Sequence, residues 1–105
     1  MYVHYSTDGE LPFEWDITKN ATNKSKHGVD FETAQLIFED PRHISFIDQM
    51  VDSEERWLAI GSIEGIIIVA VAHAYREKEE DEIIRIVSAR PATRHERKLY
   101  EQAVR

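Results

Sequence analysis

Six side chains in this sequence are of types that can move protons or hold anions. They fall in three places: Lys26 and His27 as neighbours, Glu55 and Arg56 as neighbours, and Arg85 and Arg90 five residues apart. A histidine titrates near neutral pH, and a carboxylate or a lysine can be tuned toward it, so such groups suit general acid–base work. An arginine presents a planar fork of N–H donors that matches the oxygens of a carboxylate or a phosphate. Each pair also has an ordinary structural reading. Lys26 and His27 fall where a helix ends and favour its dipole. Glu55 and Arg56 can be charges at a strand edge. Arg85 and Arg90 emerge from an apolar run, where a guanidinium needs either a carboxylate of the protein or a phosphate. As strand positions five apart they point to opposite faces, unless Arg90 has already turned the corner.

Other chemistries find little support. The chain has no cysteine, which excludes disulfides, thiolate catalysis and cysteine-ligated zinc. His4, His27, His43, His73 and His95 never pair at ligand spacing on one element, so a structural metal is not expected. The four glycines are isolated, which leaves no glycine-rich phosphate loop. Ser62 and Ser88 lack a nucleophile-elbow sequence. No cofactor is expected. Trp15 and Trp57 read as core or cap residues before they read as base-stacking platforms.

The elements that must position these residues follow from local pattern. Ile83 to Val87 is β-branched except at Arg85 and reads as a buried strand. It runs into a helix from Pro91 to about Val104, with the proline in the first turn. At the other end, Tyr2 to Tyr5 and Leu11 to Trp15 form a hairpin around Asp8-Gly9. Asp16 caps a helix to about His27, and Gly28 stops it in the left-handed region. That helix is polar, with only Ile17 and Ala21 plainly apolar, so its ends hold it. Asp30 caps a second helix whose Phe31, Ala34, Ile37 and Phe38 form a core face, closed by Pro41. His43 to Asp48 reads as a strand and Gln49 to Glu54 as a polar loop. Arg56 to Ile63 and Ile66 to Tyr75 form a hairpin around Glu64-Gly65, with the second strand at the sheet centre. Arg76 to Glu82 reads as a solvated loop of net charge −3. The expectation is one α+β domain over residues 1–105: a largely antiparallel sheet, two N-terminal helices and a C-terminal helix.

The 105 residues carry a net charge of −7, which argues against generic nucleic-acid binding. The charge is uneven. Residues 83–105 hold six Lys/Arg against two Asp/Glu, whereas residues 1–53 hold four basic and ten acidic side chains. One electropositive face is expected. No apolar run reaches membrane-spanning length and the N-terminus lacks a signal-peptide pattern, so the expected location is the cytoplasm.

The order of Phe13-Glu14-Trp15-Asp16, Lys19, Asn23, Lys26-His27-Gly28-Val29, Phe31-Glu32, Ala34, Phe38, Asp40-Pro41, Glu55-Arg56, Ile60-Gly61, Arg85-Ile86-Val87-Ser88-Ala89-Arg90, Ala92-Thr93, Glu96 and Tyr100-Glu101 resembles the BrnT toxin family. The pieces cover nearly the whole chain from Phe13 to Glu101, with residues 1–12 as an added strand. The resemblance implies a type II toxin with a RelE-like fold that arrests growth by cutting RNA without a metal. It further implies neutralisation by a BrnA-type ribbon–helix–helix antitoxin, through which alone operator DNA is bound. Within that reading His27, Glu55 and Lys26 take the acid–base roles, and Arg56, Arg85 and Arg90 clamp the scissile phosphate. The acidity of the chain departs from the basic character usual in toxins that cut RNA. It keeps open the alternative of a non-catalytic module that binds an antitoxin or other partner and modulates transcription.

Overall fold

The apolar run after Gly65 lies inside a six-stranded sheet, as burial on both of its faces requires. The computed structural model describes residues 3–6, 12–78 and 81–103. The chain runs β1 (Val3–Ser6), β2 (Phe13–Asp16), α1 (Ile17–His27) and α2 (Phe31–Ala34), then a 3₁₀ segment, Gln35–Glu39. It continues as β3 (Ile44–Val51), β4 (Glu54–Ile63), β5 (Ile67–Lys78), β6 (Asp81–Pro91) and α3 (Arg94–Ala103). The strand order is β1-β2-β6-β5-β4-β3, and only the β2–β6 pairing is parallel. This is the expected largely antiparallel α+β arrangement. The Asp8-Gly9 turn lies outside the described residues, but the strands it was expected to join pair from Val3–Asp16 to Ser6–Phe13.

Three boundaries differ from expectation. Gln49–Glu54 is not a loop, because β3 continues to Val51 and β4 begins at Glu54. Asp52 and Ser53 join them, both at positive φ (49° and 66°), a two-residue turn whose twist suits a hairpin. Arg76–Glu82 is not a loop either. β5 runs to Lys78 and β6 starts at Asp81, with Glu77 opposite Glu82. Charges on both faces had left no apolar alternation to mark the strands. Finally, Pro91 ends β6 and does not open a helix; α3 starts at Arg94. Its true start is a capping box. Thr93 Oγ1 accepts from the Glu96 N–H (3.2 Å), and Glu96 Oε1 accepts from the Thr93 N–H (2.8 Å).

The sheet has a helix on each side. Phe13, Trp15, Val69, Val71, Ile84 and Ile86 pack against Phe31, Ala34 and Ile37, which makes the larger core. On the other side Leu58, Ile60 and Ala70 meet Ala92 and Tyr100 of the α3 region. Gly61 lets the 3₁₀ segment approach β4, since a Cβ there would lie 2.8 Å from the Ile37 Cβ. Asp40 ties the two sides together. Its carboxylate accepts from the Ser62 N–H (2.9 Å), the Arg42 N–H (2.9 Å) and the Tyr100 hydroxyl (2.6 Å). Burial alone would raise this carboxyl, but the three donors outweigh it and leave its pKa lowered. Burial, followed by the bond to Asp40, pushes the Tyr100 hydroxyl up to about 12.

Candidate functional site

A single extra residue in β6 decides which side chains share a face. The register with β5 shifts between Ala72 and His73, so that Ser88 lies opposite Ala72 and Ile86 opposite His73. Val87 is the bulged residue, and such an insertion reverses the alternation beyond it. Arg85, opposite Ala74, and Arg90, opposite Ala70, therefore point to the same side. That is the α3 side of the sheet, and the expectation of opposite faces is corrected. Arg56 shares it, because its neighbour Trp57 faces the other way in register with His73. Glu55 does not. It lies opposite Met50 on the α1–α2 side, exposed.

The three arginines border a low floor. On this face β5 presents the small side chains of Ala70, Ala72 and Ala74, of which Ala70 and Ala74 are buried. Arg56 and Arg85 stand on the strands either side of Ala74, about 10 Å apart at two strand spacings. Arg85 and Arg90 are separated by about 13 Å along the strand direction, four residues of rise. α3 and Tyr100 cover the Ile60–Ala70 end, and at the other end Ala74 is fully buried beneath the side chains around it.

Each arginine has a carboxylate partner, in different ways. Arg85 Nε donates to Glu14 Oε1 (3.0 Å), and Glu14 is only 3 % exposed although its neighbours Phe13 and Trp15 are core residues. The same oxygen lies 3.7 Å from Arg76 Nη1. Arg56 Nε donates to Glu54 Oε1 (3.2 Å) in an exposed pair. Contacts through Nε leave the terminal nitrogens of Arg85 and Arg56 outside the contact that orients them. Arg90 is different. It grips Glu96 with both Nη1 (2.6 Å) and Nη2 (2.9 Å). The Arg90 bond draws the Glu96 carboxyl down to about 2, and the same bond raises the Arg90 guanidinium. Because Glu96 also caps α3, this pair fixes the strand-to-helix corner.

Lys26 and His27 lie at the β6 edge of the sheet. β2 pairs with β6 only as far as Glu14 opposite Arg85, which leaves the later part of β6 uncovered on that side. There α1 replaces a strand. The Asn23 side chain accepts from the Ala89 N–H (3.1 Å) and donates to the Ala89 carbonyl (2.7 Å) and to the Val29 carbonyl (2.8 Å). Asn23 is the buried residue of this helix, whereas Ile17 is 40 % exposed. As expected, the ends hold the rest. Asp16 accepts from the Thr18 and Lys19 N–H groups, and Gly28 closes the helix at φ 75°. The last turn then lines a shallow cavity of about 270 Å³ with Lys19, Lys26, His27, Val87 and Ser88. Ser88 belongs both to this cavity and to the arginine-bearing face. Arg56, Arg85 and Arg90 thus share one face, Lys26 and His27 line a cavity with Val87 and Ser88 at the β6 edge, and Glu55 lies on the other face.

Glu14, Asn23, Arg76 and Glu96 complete the surroundings and had not been singled out for function. Glu96 carried a local signal, the Thr93-x-x-Glu96 spacing of a capping box. Glu14 and Asn23 act on partners far away in sequence, and Arg76 lay in a stretch taken for a solvated loop. Trp57 meets Tyr75 edge-on (centroids 5.4 Å apart) on the α1–α2 side, away from the arginines.

A search of curated proteins gave no match. Residues 15–96 match the family described as ribonuclease toxin, BrnT, of type II toxin–antitoxin system. The structure is similar to the 1.1 Å crystal structure of the Brucella abortus ribonuclease toxin, BrnT, at 29 % sequence identity and a TM-score of 0.55. The similarity covers 76 % of this chain and 94 % of that one. The matched residues include α1 and the bulged β6, and this chain belongs to the BrnT family of type II toxins, whose partners are antitoxins.

Proposed function

We propose that this chain is a RelE-like, metal-independent endoribonuclease that arrests growth by cutting RNA. The observation that carries the reading is the Val87 bulge, which sets Arg85 and Arg90 on the same face as Arg56, while Val87 and Ser88 of the same strand line the cavity of the Lys26-His27 turn. The chemistry needs a base for the 2′-hydroxyl, cations for the charge that gathers on phosphorus oxygens, and an acid for the leaving oxygen. His27 and Lys26 take the proton-transfer roles. The 2′-oxygen attacks phosphorus, the bond to the 5′-oxygen breaks, and that oxygen receives a proton. Arg85 and Arg56 face the phosphate with their terminal nitrogens, while Arg90 acts chiefly by holding the corner through Glu96. Glu55 stands on the opposite face and has no part in this step. A BrnA-type ribbon–helix–helix antitoxin neutralises the toxin, and operator DNA is bound through that antitoxin.

The test is induction of the wild-type chain, Arg85→Ala and His27→Ala without an antitoxin, with growth and total RNA followed together. The expected result is arrest and RNA loss for the wild type alone. Removal of Arg85 should lower cleavage by about 10²-fold or more, as for loss of one donor to a transition-state oxyanion. Folded alanine variants as toxic as the parent would show the site to be misassigned. The net charge of −7 and the closed Arg90–Glu96 pair favour a second reading, a non-catalytic module that binds an antitoxin or another partner and modulates transcription. Normal growth and intact RNA with folded wild-type protein would select it.

A further inference from the structure

Glu14 faces two arginines with a single negative charge. Its Oε1 bonds Arg85 Nε at 3.0 Å and stands 3.7 Å from Arg76 Nη1, so these three side chains by themselves sum to one positive charge. The carboxylate at the centre is almost fully buried, while Glu77, Asp81 and Glu82 occupy the adjoining positions of β5 and β6. Arg76 is the more accessible member, with its side chain 47 % exposed against 32 % for Arg85. Both lie on the arginine-bearing face. Ala74 is opposite Arg85, and Arg76 is opposite Ile83, so the two arginines are diagonal neighbours on adjacent strands, about 7–8 Å apart. That separation is comparable with one step between successive phosphates of a single strand. A contact at 3.7 Å is beyond good hydrogen-bond length, so the Arg76 guanidinium keeps nearly all of its donor capacity.

We infer that Glu14, Arg85 and Arg76 form a phosphate-binding subsite for an RNA backbone, with Arg76 holding the phosphate next to the one held by Arg85. Glu14 is a positioning residue: it fixes the fork of Arg85 by a hydrogen bond, holds Arg76 near by charge, and does not touch the RNA. The subsite lies at the Ala74 end of this face, away from α3, where the Arg76 side chain is 47 % exposed, and gives the strand a direction across the sheet. This inference rests on the RNA-cutting reading above and adds a second point of backbone contact to it.

The test is binding of a fully 2′-O-methylated oligoribonucleotide, which cannot be cleaved through its 2′ positions, at several salt concentrations. Wild type, Arg76→Gln, Arg76→Lys and Glu14→Gln are compared, with thermal unfolding of each. Loss of one phosphate contact should make the slope of log affinity against log salt shallower by about 0.7 for Arg76→Gln. Arg76→Lys, which keeps the charge, should restore the wild-type slope, a rescue that a purely structural arginine would not predict. Glu14→Gln should retain the slope but lower the cleavage rate at saturating RNA, because the Arg85 fork is no longer held. An unchanged affinity and slope in folded Arg76→Gln would overturn the subsite while leaving the ribonuclease reading intact. Absence of RNA binding by the wild type would overturn both.

Discussion

Removal of the Asn23 side-chain amide should undock α1 from the sheet and with it the turn that carries Lys26 and His27. Asn23 makes three hydrogen bonds, two with the backbone of Ala89 and one with the Val29 carbonyl, and it is 7 % exposed. At about 1 kcal/mol for each bond, Asn23→Ala removes about 3 kcal/mol. The loss approaches 5 kcal/mol if the Ala89 N–H and carbonyl stay dry, since Ala89 is fully buried. For a domain of this size, 3 kcal/mol lowers the midpoint of thermal unfolding by about 12 °C or more. Asn20→Ala is the internal control, because Asn20 accepts one bond, from the Phe31 N–H at 2.8 Å, and its removal should cost about 1 kcal/mol. Asn23→Asp adds a pH signature. A carboxylate can still accept from the Ala89 N–H but is repelled by the two carbonyls that the amide served. The folded state therefore raises the pKa of the new carboxyl, and this variant should gain stability relative to wild type as the pH falls and lose it as the pH rises. Urea and thermal unfolding of the four proteins at two pH values measure all of this. An Asn23→Ala variant within about 1 kcal/mol of wild type would refute the docking argument, because no single weak bond could then be holding α1 in place.

Two further outcomes follow from the core. His73 is fully buried among Phe38 and Tyr75, its Nε2 has no hydrogen-bond partner among the described residues, and burial holds its pKa below the ordinary value of 6.5. The unfolded chain thus binds a proton that the folded chain refuses, so stability should fall as the pH drops below about 6.5, and His73→Phe should flatten that part of the urea-unfolding profile. His43 is the other titratable ring against Phe38 and contributes in the same direction at His73, so His43→Phe serves as the comparison. Gly61→Ala should destabilise by about 1–3 kcal/mol, because its Cβ meets the Ile37 and His43 Cβ atoms at 2.8 and 3.0 Å in a packed core. A thermal midpoint unchanged from wild type would show that the 3₁₀ segment yields without penalty.

What could be read from the sequence divides by the range of the interaction. Asp16, Gly28 and Asp30 act on atoms a few residues away, so the bounds of α1 and the start of α2 were legible from residue type alone. The core face of α2 was also legible, although the chain tightens into a 3₁₀ segment after Ala34 and keeps Ile37 buried by a different period. The placement of Glu55 and Arg56 on opposite faces was available from strand alternation. Arg85 and Arg90 could not be handled that way. Their common face comes from the unpaired Val87, and a bulge belongs to the match between two strands and not to either strand's composition. Glu14 was equally hidden, because a lone carboxylate between Phe13 and Trp15 makes sense only when Arg85, 71 residues later, is laid beside it. The site therefore depends on two facts of register, the bulge in β6 and the short parallel pairing of β2. Resemblance identified the residues before either was visible, but only the pairing explains why the three arginines share a face and Glu55 does not.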